Sequence, residues 1–194
     1  MSMVLAPPKE LTPDDVLAMS GERLYELVDG RLVEKSMSYE SNDVAGEVVY
    51  LLRHHCRASS IAYVTPEQGY TCFPSKPRQL RVPDVSLILA ARMTAELYKE
   101  GFTSIRPDLI VEVVSPNDRV YDLREKLDDY RDAEIPLVWL LYPPTKTVEI
   151  IRADGTRSEL GSGDELTGEA VLPGFRCRVA ELFGGLPETK VDPS

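Results

Sequence analysis

The chain has 194 residues, 43% of them hydrophobic and 28% charged, and a formal net charge of −10. That length and balance suit one globular domain whose core needs no disulfide or metal staple. The acidic excess argues against a broad electropositive face of the kind that drives non-specific nucleic-acid binding, while a local basic groove stays open. Cys56, Cys72 and Cys177 form no CxxC pair, so reduced thiols in a cytoplasmic protein are expected. No stretch has the apolar length of a membrane span, and "MSMVLAPPKE" has no secretory apolar region, so a soluble chain is expected.

"LTPDDVLAM" opens a short helix, with Thr12 as N-cap and Pro13 in the first helical position. "LYELVDGRLVEKS" reads as a hairpin turning on Asp29-Gly30. "SYESNDVAGEVVYLLRHHCRAS" carries Val44, Val48, Leu51 and Leu52 at helical spacing. "IAYVTPEQGYTCF" holds one strand or two, "PSKPRQ" is a turn, and a further strand starts at or just after Pro83. "RMTAELYKEGFTSI" reads as a connecting helix or irregular lid. "PDLIVEVVSPNDR" holds a strand, "RVYDLREKLDDYRDA" a helix, and "PLVWLLYPPTKTVEIIRADG" two strands. Polar turns, short strands and a closing helical turn complete the chain. Residues 1–10 and 185–194 are expected to be flexible, which leaves one domain over 11–184. The pattern is α+β with an α/β core, since a helix crosses between two central strands.

Glu112 is an anomaly within this pattern. If Ile110 and Val114 share its face, Val111 and Val113 occupy the other, so both faces are otherwise apolar. A carboxylate in such a strand needs a cation, a metal or an exit to solvent. Asp84 opens the apolar run "VPDVSLIL"; a turn aspartate beside a proline is the competing explanation. Lys126 lies on the flank of the stripe Leu123, Leu127, Tyr130, where a lysine can reach solvent, pair with Asp122, or turn toward the strand before it. Glu26 beside the hairpin turn reads, taken alone, as an exposed strand residue. Together, acidic residues at the ends of neighbouring strands make an oxygen-rich site for Mg²⁺ or Mn²⁺, with a lysine to offset developing charge on a phosphodiester.

"RVPDVSLI", "PDLIVEVVSPNDR" and "DLREKLDDYRDAEIPLVWLLYP", with "YELVDGRLVE" upstream and "VLPGFRCRVAELF" downstream, resemble the Uma-type endonucleases of the PD-(D/E)xK nuclease superfamily. The resemblance runs from about Leu11 to about Phe183 and rests on the order of several short motifs. It implies a restriction-endonuclease-like mixed central sheet flanked by helices, with an added N-terminal hairpin and C-terminal strands. It also implies Mg²⁺- or Mn²⁺-dependent hydrolysis of DNA. Asp84 maps to the first metal ligand and Glu112 to the second, and the Val113 carbonyl to a metal-contacting backbone oxygen. Glu26 maps to an upstream acidic member. The motif lysine would fall at Val114; its role maps instead to Lys126 on the following helix.

Lys76, Arg78 and Arg81 cluster before Asp84, where they can meet phosphates or keep a loop soluble. His54 and His55 are adjacent on a helix and cannot share one site, Ser115 lacks a GxSxG context, and Trp139 reads as core. A homodimer is expected, with "PLVWLLYP" and the C-terminal strands as its surface. The alternative to a nuclease is a catalytically weak or inactive member of the same fold, acting as a binding or assembly module.

Overall fold

A computed structural model describes residues 10–19, 24–35, 37–57, 59–116 and 118–184. The tail expected to be flexible at 185–194 and residues 1–9 lie outside them. In chain order the elements are α1 (Pro13–Leu17), β1 (Tyr25–Val28), β2 (Arg31–Glu34), α2 (Tyr39–Arg57), β3 (Ala62–Pro66), β4 (Gly69–Tyr70), β5 (Val85–Leu89), β6 (Phe102–Thr103), β7 (Leu109–Val113), α3 (Val120–Asp132), β8 (Leu137–Tyr142), β9 (Thr147–Arg152), β10 (Arg157–Leu160), β11 (Glu165–Gly168) and β12 (Leu172–Arg178). The segment 92–105, expected to be a connecting helix or an irregular lid, holds short 3₁₀ turns and β6 and no α-helix.

Local chemistry sets the ends of these elements. The Thr12 hydroxyl accepts from the Asp15 N–H at 3.3 Å, and the Asp15 carboxylate accepts from the Thr12 N–H at 2.8 Å, a reciprocal cap that starts α1. Asp29 and Gly30 have φ of 51° and 78°, the left-handed pair that a two-residue hairpin turn requires. Gly69 is fixed by proximity: a Cβ there would lie 2.3 Å from the Phe102 ring.

Six strands form the main sheet, in the order β10-β9-β8-β7-β5-β3. β7 and β8 are parallel, joined across one face by α3, and every other pair is antiparallel. α2 covers one face, where Val44, Val48 and Leu52 join Val111, Val113 and Trp139 in one core. α3 covers the other, where Tyr130 joins Ile88, Ile110 and Leu140. Ile110 and Val114 thus lie on the α3 side and Val111 and Val113 on the α2 side, the alternation read from the sequence. Apart from Ser86 and Glu112, β5, β7 and β8 are apolar, because helices cover both of their faces.

One expectation is corrected here. "PLVWLLYP" cannot present a dimer surface, because β8 runs between β7 and β9 and Leu137 to Leu141 are all buried. Trp139 sits at the middle of this strand with 0% exposure. Trp139→Ala is expected to cost about 3–5 kcal/mol in urea unfolding. Tyr50→Ala, at a side chain 61% exposed, should stay within about 0.5 kcal/mol.

Candidate active site

The ladder between β5 and β7 pairs Leu87 with Leu109, Ser86 with Ile110 and Val85 with Val111, and ends there. Asp84 and Glu112 are the next residues on each strand. Where the ladder stops, a side chain takes over: the Val113 N–H donates to Asp84 Oδ2 at 2.6 Å. Asp84 is 4% exposed and Glu112 5%, so both carboxylates are withdrawn from solvent and depend on partners. They form the floor of a cleft of about 520 Å³, walled by β2 and by the first turns of α3.

Lys126 reaches back from α3 into this floor. Its Nζ lies 3.1 Å from Glu26 Oε1 and 3.4 Å from Glu112 Oε1, with the side chain 15% exposed. It therefore turns toward Glu112 and Glu26 rather than to solvent or to Asp122. Glu26 is buried as well, because the stretch Leu80 to Val82 lies over β1: Leu27 and Leu80 bridge, and Val82 N–H donates to Glu26 Oε1 at 2.9 Å. The reading of Glu26 as an exposed strand residue is corrected by this cover.

Two partners carry no local signal strong enough to single them out in the sequence. Lys35, just past β2, places Nζ 2.7 Å from Asp84 Oδ1 and donates to the Val82 carbonyl at 2.6 Å. The Tyr130 hydroxyl donates a short hydrogen bond to Glu112 Oε1. Tyr130 follows Lys126 by one helical turn, so the two share a face of α3. That spacing is the one clue the sequence offered; as an aromatic in an apolar stripe, Tyr130 reads as core.

Behind Glu26 lies a second layer of charge. Arg81 NH1 meets Glu26 Oε2 at 3.0 Å, and its NH2 meets Asp129 Oδ2 at 2.6 Å. Asp129, 1% exposed, also accepts from Gln79 Nε2 at 2.6 Å and from Lys76 Nζ at 2.8 Å. Lys76, Arg78 and Arg81 thus do not form a phosphate-facing cluster. Lys76 and Arg81 serve buried carboxylates of the chain itself, and Arg78 pairs with Glu10.

These surroundings set the protonation states. Burial pushes Glu112 from its ordinary 4.5 up to about 7; Lys126 opposes the rise and Asp84 adds to it. Burial works against charge on Lys126, yet Glu112, Glu26 and Asp84 together hold its pKa above the ordinary lysine value. Burial also opposes ionisation of Glu26, but Lys126 and Arg81 outweigh it and hold that carboxyl low. Burial, then Glu112 and Glu26, keeps the Tyr130 hydroxyl protonated. The floor therefore holds a charged lysine and a glutamate poised near neutrality.

The donor set fits a hard divalent cation. Asp84 and Glu112 offer carboxylate oxygens. In an extended strand the N–H and C=O of one residue point to the same side, so the Val113 carbonyl faces the gap its N–H faces. Among the described residues no three His, Cys, Asp or Glu side chains gather into a closed metal cage. Two carboxylates and a carbonyl match Mg²⁺, which keeps several of its waters. Glu26 stands behind Lys126 with both oxygens engaged.

Two outcomes follow for the chain without added metal. Asp129→Asn leaves Arg81 buried and short of a counter-charge, and should cost about 3–5 kcal/mol in urea unfolding, whereas Lys76→Met, at a side chain 31% exposed, should cost less than about 1 kcal/mol. The second outcome concerns pH. A carboxyl whose folded pKa is raised favours the fold below its unfolded pKa and loses that contribution as pH climbs through the folded value. For Glu112 the window runs from 4.5 to about 7. Glu112→Gln, a neutral mimic of the protonated acid, should gain stability relative to the parent between about pH 5 and about pH 8, read from urea midpoints.

Comparison with known proteins bears on the family and the fold. The model of the Uma2 family, described as "Putative restriction endonuclease", matches residues 13–180. A solved structure of a "putative nuclease" from Anabaena variabilis ATCC 29413 superposes with a TM-score of 0.76 at 19% identity, covering 90% of this chain and 98% of that one; at that identity the likeness speaks for the fold. No curated protein matches the chain. Among the described residues no helix is long and apolar enough to cross a membrane. With 13–180 matched out of 194 residues, the chain belongs to the Uma2 family of restriction-endonuclease-like proteins.

Proposed function

We propose that the chain is an endonuclease that hydrolyses DNA phosphodiester bonds with the help of Mg²⁺ or Mn²⁺. The observation that carries this reading is the meeting of three groups at one strand end: Asp84 and Glu112 where the β5–β7 ladder stops, and the charged Lys126 3.4 Å from Glu112. Asp84, Glu112 and the Val113 carbonyl would hold the ion. When bound, it would supply Lewis-acid stabilisation of charge on the phosphodiester.

The chain's own residues do the rest. Lys126 is a poor general base, because three carboxylates keep it protonated. Its role is electrostatic: it orients a nucleophilic water by hydrogen bonding and meets negative charge as it grows on the phosphate. Glu26 aims Lys126, and Arg81 with the Val82 N–H fixes Glu26. Tyr130 fixes the second oxygen-bearing partner, Glu112. The burial of the floor strengthens each of these interactions.

A second reading, a nuclease-fold binding or assembly module, is favoured by one observation: each carboxylate of the floor already has a lysine, at 2.7 Å on Asp84 and 3.4 Å on Glu112. Calorimetric titration with Mg²⁺, without and with a DNA oligonucleotide, separates the two readings, since a module needs no metal site. For the nuclease, Asp84→Ala and Glu112→Ala should abolish Mg²⁺-dependent cleavage with far-UV circular dichroism unchanged. Lys126→Met should lower kcat by about 10²-fold or more while the metal still binds. If the parent protein cuts no duplex, single-stranded or branched DNA across Mg²⁺ and Mn²⁺ titrations, the nuclease reading is wrong.

A further inference from the structure

Among the described residues, Lys35 is the cation that sits on the proposed first metal ligand. Its Nζ is 2.7 Å from Asp84 Oδ1, its side chain is 8% exposed, and the Val82 carbonyl at 2.6 Å holds it there. The other oxygen, Oδ2, takes the Val113 N–H. Both oxygens of Asp84 are therefore engaged. On the neighbouring carboxylate, Glu112 Oε1 accepts from the Tyr130 hydroxyl and lies 3.4 Å from Lys126 Nζ.

The charge balance follows directly. Asp84, Glu112 and Glu26 bring three negative charges when ionised, and Lys35, Lys126 and Arg81 bring three positive ones. A divalent cation that enters this floor meets no net attraction, and in a partly buried site like charges at contact distance repel strongly. A phosphodiester changes the balance. It adds negative charge in the cleft and gives a displaced lysine amine somewhere to go. Lys35 is well placed for this, since the strand preceding it, β2, forms a cleft wall.

Building on the nuclease reading, we propose that Lys35 is a positioning residue that holds the cation's place on Asp84. The divalent ion then binds weakly to the protein alone, and tightly once a phosphodiester draws the Lys35 amine off Asp84 onto a phosphate oxygen. Linkage makes the effect mutual: the ion must tighten nucleic-acid binding by the factor by which nucleic acid tightens ion binding.

The test is calorimetric titration of Mn²⁺ into the full chain, alone and saturated with a short phosphorothioate oligonucleotide. The oligonucleotide should tighten Mn²⁺ binding to the parent by about tenfold or more. Lys35→Met should bind Mn²⁺ about tenfold tighter than the parent without oligonucleotide, and should gain less when the oligonucleotide is added. Lys35→Arg, which keeps the charge, should behave like the parent. Removing Lys35 leaves Asp84 buried without its cation, so Mn²⁺ should also raise the melting temperature of Lys35→Met more than that of the parent. Where Lys35→Met does not fold, Lys35→Gln keeps a donor without the charge and is read the same way. Equal or weaker Mn²⁺ binding by the uncharged variant would overturn the role of Lys35 and leave the nuclease reading standing. Absence of Mn²⁺ binding in parent and variant alike, with and without oligonucleotide, would overturn the nuclease reading itself.

Discussion

Four carboxylates buried beside one strand end set the terms for much of this structure. Glu26, Asp84, Glu112 and Asp129 are each at most 5% exposed. An ionised carboxylate in such a place costs several kcal/mol unless a cation or donors meet it. The sheet supplies one donor, the Val113 N–H on Asp84, and the cations come from elements around it. Lys35 comes from the end of the hairpin, Arg81 and Lys76 from the segment that leads into β5, and Lys126 from α3. The hairpin, that segment and α3 are thus drawn together over the ends of β5 and β7. The cleft is the space left among them.

This constraint explains what could be read in the sequence and what could not. Glu112 stood out because five apolar residues surround it in a strand covered on both faces, and such a strand tolerates a carboxylate only with a partner. The strand and helix pattern was equally legible, since α2, β5, β7, α3 and β8 each bury a continuous apolar stripe or run. Lys35 was not legible: nothing within a few residues of it shows that its amine reaches Asp84, forty-nine positions on by their numbers. Arg81 and Asp129 were hidden for the same reason, being forty-eight positions apart. Glu26 misled because its place beside a hairpin turn points to β2 alone and says nothing of Leu80 to Val82 lying over its other side.

The position of Lys126 on a helix has a structural consequence. A lysine at Val114 would follow Glu112 on the same chain segment. On α3, Lys126 is gripped between Glu26 and Glu112, while Tyr130, one turn on, grips Glu112 in turn. A helix held by its apolar face against the sheet is a rigid support. The side chain's direction is then fixed by packing as well as by charge. The presence of Glu26 also helps to keep the amine charged. A lysine facing Glu112 alone would lose part of its counter-charge whenever Glu112 took up a proton. With Glu26 held ionised by Arg81, the ammonium persists through that change.

Charge turned inward has a consequence for substrate recognition. A chain with a net charge of −10 has few basic residues to spare, and Arg81, Lys126 and Lys35 are committed to the floor. A long electrostatic track for duplex DNA requires a row of free lysines and arginines, each releasing counterions from the phosphates it meets. Here the cleft itself offers Arg31 and Arg119 on its walls beside the lysines of the floor. Selection of a nucleic acid would then rest on what fits the cleft and engages its floor rather than on diffuse attraction. The tight binding of a cation only in the presence of a phosphodiester would serve the same end, because it withholds the chemistry until a backbone has entered. The acidic surface and the lysine-covered carboxylates become two expressions of one economy of charge.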